Sequence, residues 1–280
     1  TRDATPLPLA AFRQSHNIIP MENWTEFEGM IRLSVFAGVL ILFSAIEFII
    51  PRKDRRHTRL SRWTTNVALL AVSTVFLRIV LPVATISFAM EMNQRGIGLF
   101  NLIELPIWLE VVLAIVLLDF AIWFQHMMMH YIPPLWAFHK VHHADEDLDA
   151  SSGLRFHPLE MVFSFGFKLA VIALLGVPAL GIFLFEVILN AASIFEHASI
   201  RIPKKVDRAL RKVIVTPDMH RVHHSVHIQE TNSNFGFCLS IWDRMFRTYC
   251  AEPREGHEAM ELGLDRRPPG NAAGLWWALS

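Results

Sequence analysis

The apolar residues of this chain fall in long blocks rather than at helical or alternating intervals. Three blocks, 30–50, 64–90 and 105–124, are each long enough to cross a hydrocarbon core of about 30 Å as an α-helix. A fourth block, 161–195, is too long for one span, and the Gly-Val-Pro sequence at 176–178 predicts a turn between two shorter helices. The pattern therefore predicts an all-α integral membrane protein with four to five membrane segments. It does not decide whether the 161–195 hairpin crosses completely.

The composition agrees with a membrane protein. Apolar residues make up 52% of the chain and charged residues 19%, below the roughly 25% that soluble domains carry. The formal net charge of zero gives no reason to expect a nucleic-acid partner. Cys238 and Cys250 form no CxxC motif, so the sequence offers no thiolate metal site of that kind.

Histidines are concentrated in three short segments beside the apolar blocks. HMMMH spans 126–130, and the related HKVHH and HRVHH span 139–143 and 220–224. Helix residues three and four apart are separated by about 60° and 40° around the axis, so each segment can turn two imidazoles toward one ion. The adjacent third histidine diverges by about 100° and can reach a second ion. The candidate ligands are His126, His130, His139, His142, His143, His220, His223 and His224.

A ninth candidate is His197, where the predicted hairpin returns to the same membrane surface. Nine imidazoles divide into four or five for each of two ions, which leaves an open position on an ion that prefers about six ligands. Imidazole binds Fe, Zn, Cu and Ni alike, so the ligand type alone does not identify the metal.

Further residues are candidates for supporting the ligands or completing the site. Asp119 precedes His126 by two helical turns on the same face, and it is predicted to accept a proton from a metal-binding imidazole. His157, in RFHPLE, is predicted either to pack at a helix start or to bind metal. The remaining candidates are Asn190, His227 and Asp243.

The basic residues between the spans predict the orientation of the chain. The loop 51–62 is strongly basic, whereas 91–104 carries one arginine and two glutamates. The positive-inside rule therefore places 51–62 in the cytoplasm and leaves 1–29 as an extracytoplasmic segment. Every histidine segment then lies on the cytoplasmic side, so the sequence predicts a histidine-rich helical cap there that holds a dimetal site.

Taken in order, HMMMH, HKVHH, RFHPLE, HRVHHS, NSNFGF and IWDRMFRTY resemble the sterol desaturase and fatty acid hydroxylase superfamily. The resemblance covers about 105–250; it leaves 30–104 as two additional spans with their loops and 251–280 as a C-terminal tail. It implies two non-haem iron ions, for which zinc can substitute in a preparation. By this resemblance the eight histidines of the three segments are iron ligands, and His197 is the ninth.

One position departs from the family pattern. Some members carry another histidine four residues before the position of His197, where this chain has Ser193. The resemblance therefore implies one protein ligand fewer on one ion, with water or Asn190 completing its coordination.

The activity that the resemblance implies is hydroxylation of a C–H bond in a sterol, fatty acyl chain or related membrane lipid, with dioxygen as co-substrate. A desaturase using the same site is the alternative, because nothing in the sequence separates the two outcomes. A membrane metal transporter or metal-binding protein is an alternative of another class, although transporters place their ligands near the bilayer midplane. A zinc hydrolase is disfavoured because no segment contains HExxH.

Such an oxidation needs electrons from another protein. The chain contains no GxGxxG segment, no cysteine pattern for an iron–sulfur cluster and no cytochrome b5-like haem pocket. We therefore expect a separate ferredoxin or cytochrome b5 type donor and its reductase. The basic stretch 201–212 is a candidate to dock an acidic partner or to contact anionic lipid. The predicted location is a bacterial inner membrane or an ER-like membrane.

Overall fold

The computed structural model of the chain describes residues 21–266 and 274–279. Within these ranges the protein is helical, with isolated β-bridges and no strand, which confirms the predicted all-α fold. Most of the predicted N-terminal segment, residues 1–20, lies outside the described residues, and the first helix begins at Met21.

Seven helices form the membrane part and the first element of the cap. They are α1 (Met21–Ile49), α2 (Arg59–Val80), α3 (Thr85–Gln94), α4 (Ile107–Tyr131), α5 (Pro133–His143), α6 (Pro158–Leu175) and α7 (Ala179–His197). Five stretches are long and apolar enough to cross a membrane: 27–49, 59–101, 107–131, 158–175 and 179–197. This number agrees with the upper end of the sequence prediction.

The second predicted span is built differently from the expectation. The sequence predicted a single span over 64–90, whereas α2 ends at Val80 and α3 starts at Thr85. Pro82 lies between them, and Leu81 leaves helical geometry at φ −130° and ψ 79°. A proline removes a backbone donor and disfavours helical geometry in the residue before it, so the helix stops there.

The fourth block forms the predicted hairpin. Helices α6 and α7 meet at Gly176, which has φ 66° and closes α6 in the left-handed conformation. Gly98 approaches this turn so closely that a Cβ on it would lie 2.1 Å from the backbone nitrogen of Gly176. Asn93 donates a 3.0 Å hydrogen bond to the Val177 carbonyl, so the C-terminal end of α3 also holds the turn in place.

Helix α7 lies at the centre of the bundle and packs against α1, α4 and the 3-10 turn Ala150–Leu154. The apolar core beside it includes Leu118, Ile172 and Phe185, each with at most 1% of its surface exposed. This core packs α4, α6 and α7 side by side, and α4 and α7 carry candidate ligands at their C-terminal ends.

The cap consists of α5 and a series of short helices. They are α8 (Lys204–Leu210), α9 (Pro217–His223), α10 (Ile228–Thr231), α11 (Ile241–Met245), α12 (Gly256–Ala259) and α13 (Leu275–Ala278). Arg62 of α2 reaches into the cap and donates to Asp145 at 2.8 Å and to Asp149 at 2.5 Å; all three side chains are buried. These ion pairs tie the cap to the membrane helices.

The segment predicted as a C-terminal tail is attached to the cap over the part that the structure describes. Gly263 donates a backbone hydrogen bond of 3.1 Å to the His224 carbonyl, and Val226 donates one of 3.1 Å to the Glu261 carbonyl. Met260 and Leu262 bury their side chains against Leu148. The tail therefore covers the outer side of the third histidine segment.

Candidate metal centre

The nine candidate histidines converge in two groups at the junction of the bundle and the cap. Within each group, one nitrogen per imidazole lies within 4.8 Å of the corresponding nitrogens of the others. The larger group contains His126, His130, His139, His143 and His223. The smaller group contains His142, His197, His220 and His224.

Helical spacing explains how the histidines are divided. The pair His139 and His143, four residues apart on α5, belongs to the larger group, whereas the adjacent His142 turns to the smaller one. His223 and His224 separate in the same way at the end of α9. Members of each of the three pairs spaced four apart share a group, and histidines three apart do not. The reason is that the positions three and four residues along the helix are adjacent to each other, so their side chains diverge by about 100° around the axis.

The hydrogen bonds of the larger group leave two lone pairs facing each other. Nδ1 of His126 lies 2.8 Å from the Phe235 carbonyl, and Nδ1 of His139 lies 2.6 Å from Oε1 of Glu160. A carbonyl or carboxylate oxygen accepts, so each Nδ1 carries the ring proton and each Nε2 carries a lone pair. The two Nε2 atoms are 3.1 Å apart. Two lone pairs at this distance repel unless a cation lies against both.

The smaller group repeats this arrangement. Nδ1 of His197 donates to the Ser193 carbonyl at 2.7 Å, and Nδ1 of His142 donates to the Arg155 carbonyl at 3.3 Å. Their Nε2 atoms are 3.1 Å apart, as are those of His197 and His220 and those of His220 and His224.

The 3.1 Å separations also indicate a coordination geometry. Two nitrogens bound at about 2.1 Å are about 3.0 Å apart at a right angle and about 3.4 Å apart at the tetrahedral angle. The observed distances fit adjacent positions of an octahedral or square-pyramidal ion better than a tetrahedral one. The donor set therefore fits two metal ions with open positions.

The protein presents these imidazoles as neutral donors. Burial, reinforced by the neighbouring imidazoles, holds the pKa of His143, His220 and His224 well below the ordinary histidine value. Both ring nitrogens of His143 and the Nε2 atom of His223 are buried and find no hydrogen-bond partner among the described residues. A neutral imidazole with an unpaired nitrogen is the form that binds a metal ion.

One buried glutamate lies behind each group, and sequence reasoning missed both. Glu160 of α6 binds His139 as described above. Glu196 of α7 is 1% exposed, and its two oxygens lie 3.7 Å from Nδ1 of His197 and Nδ1 of His220. In the part of the chain that the structure describes, neither oxygen of Glu196 has a hydrogen-bond partner. Such a carboxylate is costly to bury unless positive charge lies near it, as two metal ions would provide.

Asp119 does not support His126 in the way that the sequence predicted. Its carboxylate accepts backbone hydrogen bonds from Cys238 and Leu239 at 3.2 Å and the indole hydrogen bond of Trp242 at 2.8 Å. Seven residues bring two side chains to the same helix face but separate them by about 10 Å along the axis. Asp119 therefore anchors the 238–242 segment.

Asp243 acts on the larger group through the backbone. Its carboxylate accepts from the amides of Phe235 and Gly236, each at 2.9 Å, and from the indole of Trp123 at 3.0 Å. These bonds fix the loop whose Phe235 carbonyl orients His126.

Three further candidates lie outside the two groups of imidazoles. His157 caps α6, since its Nδ1 accepts from the Leu159 amide at 3.1 Å. His227 pairs with Glu255 at 3.1 Å. Asn190 is exposed and lines the cavity described next.

A cavity of about 220 Å³ opens beside the larger group, on the side of the membrane helices. His126, His139 and Glu160 form part of its wall near the imidazoles. Phe36 of α1, Leu70 of α2 and Phe165 of α6 are among the apolar residues that line it. An apolar chain can therefore approach the larger group from the membrane part of the protein.

Known proteins share this part of the chain. The fatty acid hydroxylase family profile matches residues 111–248. The ornithine lipid hydroxylase OlsE of Rhizobium tropici is 29% identical over 202 residues, which cover 72% of this chain and 58% of that protein. Alkylglycerol monooxygenase of Xenopus tropicalis is 31% identical over 158 residues, covering 55% of this chain and 34% of the relative. Cholesterol 25-hydroxylase of Mus musculus is 28% identical over 147 residues, covering 51% and 48%.

This chain thus spans about half the length of the relatives that it matches. No solved structure gives a significant match. The profile includes all nine histidines of the two groups, and the resemblance inferred from their segments is confirmed. Residues 111–248 of this chain therefore match the fatty acid hydroxylase family.

Proposed function

We propose that this protein is a membrane-bound lipid hydroxylase that uses dioxygen and two iron ions. The observation that carries the proposal is the pair of imidazole groups, whose unprotonated nitrogens face each other at 3.1 Å beside a cavity in the membrane part. The names of the three relatives, an ornithine lipid hydroxylase, an alkylglycerol monooxygenase and a cholesterol 25-hydroxylase, support lipid hydroxylation.

Each group would hold one ion. His126, His130, His139, His143 and His223 would bind the first, and His142, His197, His220 and His224 would bind the second. When bound, the iron pair supplies the redox chemistry that couples reduction of dioxygen to oxidation of a C–H bond. The five-to-four division leaves a more open site on the second ion, next to Ser193.

The chain's own residues would position the ligands and exclude water. Backbone carbonyls of Phe235, Ser193 and Ser233 fix the Nδ1 protons of His126, His197 and His223. This hydrogen bonding directs each Nε2 toward its ion and makes the imidazole a better donor. Eight of the nine ligands are buried and His130 is partly exposed, so a substrate in the cavity would meet a site largely shielded from bulk water.

Hydroxylation consumes one dioxygen, two electrons and two protons for each alcohol and water formed. We propose that the electrons come from a ferredoxin or cytochrome b5 type protein that docks on the cap. The exposed cations of α8 and its flanks, Lys204, Lys205, Arg208 and Lys212, are its candidate contact. Anionic lipid headgroups are the competing ligand for the same cations. The positive-inside rule places these cations, and the face of the cap that carries them, in the cytoplasm.

The test is oxygen-dependent conversion of lipid by purified, iron-loaded protein in lipid nanodiscs with a chemical or protein reductant. Mass spectrometry of the extracted lipids should show a product heavier by one oxygen, labelled when ¹⁸O₂ is used. A product lighter by two hydrogens identifies a desaturase instead. Protein that binds two ions but moves zinc across a vesicle membrane, with no oxygen uptake, contradicts the proposal.

A further inference from the structure

The cavity wall beside the larger group contains hydrogen-bond acceptors that the protein leaves unpaired. Gln125 of α4 and Glu160 of α6 both line the cavity and are 6% and 4% exposed. Gln125 donates through Nε2 to the Ser164 hydroxyl at 2.6 Å, but its carbonyl oxygen Oε1 has no partner within residues 21–266 and 274–279. Glu160 binds His139 through Oε1, and within the same ranges its other oxygen, Oε2, has no partner.

Buried acceptors without a partner are stable only when a hydrogen-bond donor reaches them. Removing a carbonyl or carboxylate oxygen from water without a replacement hydrogen bond is costly, and native proteins satisfy nearly all such groups. The two side chains lie on packed helices and both line the cavity, Gln125 through its bond to Ser164 of α6 and Glu160 through its bond to His139. No donor among the described residues binds either acceptor, so we look for the donor in what fills the cavity.

The helix facing Gln125 carries polar residues at a spacing of four. Glu160, Ser164 and Lys168 all line the cavity and lie on one face of α6, with about 12 Å of helix between the first and the last. Lys168 is neutralised by Glu186 of α7 at 2.5 Å. Apolar side chains such as Phe36, Leu70 and Ile194 form much of the remaining wall, together with the imidazoles of His126 and His139 and the polar side chains of Asn190 and Ser193. The cavity therefore combines a polar face on α6 with large apolar surfaces.

We infer that the lipid segment entering this cavity carries hydrogen-bond donors, as hydroxyl or amide N–H groups, which Gln125 and Glu160 bind beside the reacting carbon. The inference rests on the proposed function and narrows its substrate class to lipids functionalised near the site of attack, as opposed to plain hydrocarbon chains. The volume of about 220 Å³ suits this role, because it holds roughly seven groups the size of a water molecule. Only the reacting segment of a lipid fits, and the rest stays in the membrane.

The test compares two lipids that differ only in their donors. The probes are 1-O-hexadecylglycerol, which has two free hydroxyls, and its 2,3-di-O-methyl ether, which has none. Binding is measured by competition against a fluorescent lipid, using zinc-loaded protein so that no turnover occurs. Because two acceptors are satisfied by one lipid and not by the other, the dihydroxy lipid should bind roughly tenfold or more tightly.

Gln125→Leu removes one acceptor without touching an imidazole, and it should reduce the preference for the dihydroxy lipid at least about threefold. The metal content should stay unchanged. The matched control is Gln229→Leu, the same change at an exposed position outside the cavity, which should keep the full preference. If Gln125→Leu fails to fold, the comparison of the two lipids on the unaltered protein still decides the question.

Equal affinity for the two lipids, or no binding of either, overturns the inference and indicates that water satisfies the two acceptors. A preference that stays undiminished in Gln125→Leu also overturns it. Failure of the proposed function looks different. Selective binding without an oxygen-dependent product from iron-loaded protein would contradict the proposed hydroxylase function. Equal oxidation of both lipids would support that function and contradict only the requirement for hydrogen-bond donors in the substrate.

Discussion

Replacing His197 by alanine should remove metal from one site and spare the other. His197 belongs to the four-histidine group, and its Nε2 lies 3.1 Å from those of His142 and His220. Tetrahedral zinc sites in small folded peptides bind with about 10–16 kcal/mol over four ligands, or about 3 kcal/mol for each. Losing one ligand should therefore weaken the second site about 100-fold, while the five-histidine site keeps every ligand.

The assay is metal content per chain after equilibration in buffers of defined free zinc concentration, measured by mass spectrometry of the metal. The unaltered protein should retain two ions, and His197→Ala should retain one across about two decades of free metal. His157→Ala is the matched control, because His157 lies at the start of α6 outside both groups and should leave two ions bound. Simultaneous loss of both ions from His197→Ala, or equal loss from the control, would refute two separate sites.

Three other perturbations test the surroundings of the site. Glu196→Gln removes the buried negative charge behind the four-histidine group and should weaken that site about 10–100-fold in the same assay; Glu230→Gln, a buried glutamate elsewhere, should not. Arg62→Met leaves Asp145 and Asp149 buried without the arginine that pairs with them, so the free energy of unfolding in mixed micelles should fall by about 3–5 kcal/mol. The control Arg95→Met breaks only an exposed ion pair and should change the free energy of unfolding little. Metal-free protein should lose stability below about pH 6.5, because the unfolded chain then binds protons that the folded protein excludes, by up to about 1.4 kcal/mol per histidine per pH unit. A thermal unfolding midpoint that stays constant down to pH 5 would contradict this assignment for the buried imidazoles with depressed pKa, which include His142, His143, His220, His223 and His224.

The sequence contained enough information to predict the membrane helices and the clustering of the histidines. Long apolar blocks identify spans by length alone, and the Gly-Val-Pro turn at 176–178 divides the last block correctly. The spacing of HxxHH also indicates that adjacent histidines diverge from each other. His142 and His143 do belong to different groups of imidazoles. These features are local along the chain, so a helical repeat is sufficient to predict them.

Features that depend on distance along an axis or on tertiary packing were not predictable in this way. Asp119 shares a helix face with His126, but the translation of two turns takes it to the 238–242 segment instead. The break at Pro82 divides one apolar block into α2 and α3, although its composition is continuous. The hydropathy pattern predicts neither the contacts of Asp119 nor the helix break at Pro82.

The supporting carboxylates are a second class of omission. Glu160 contacts His139, and Glu196 contacts His220, because α6 and α7 pack against the cap. A weak signal for the first existed in the sequence, since Glu160, Ser164 and Lys168 recur every four residues within an apolar helix. For Glu196 the single pointer was its position beside His197, which by itself does not distinguish a buried carboxylate from an exposed one.

Two ions in two different imidazole cages would have different ligand sets, which Mössbauer spectroscopy of protein loaded with ⁵⁷Fe distinguishes. We expect two iron atoms per chain and two ferrous signals of equal area, one from the five-histidine group and one from the four-histidine group. Loading that saturates at one iron per chain would contradict this expectation.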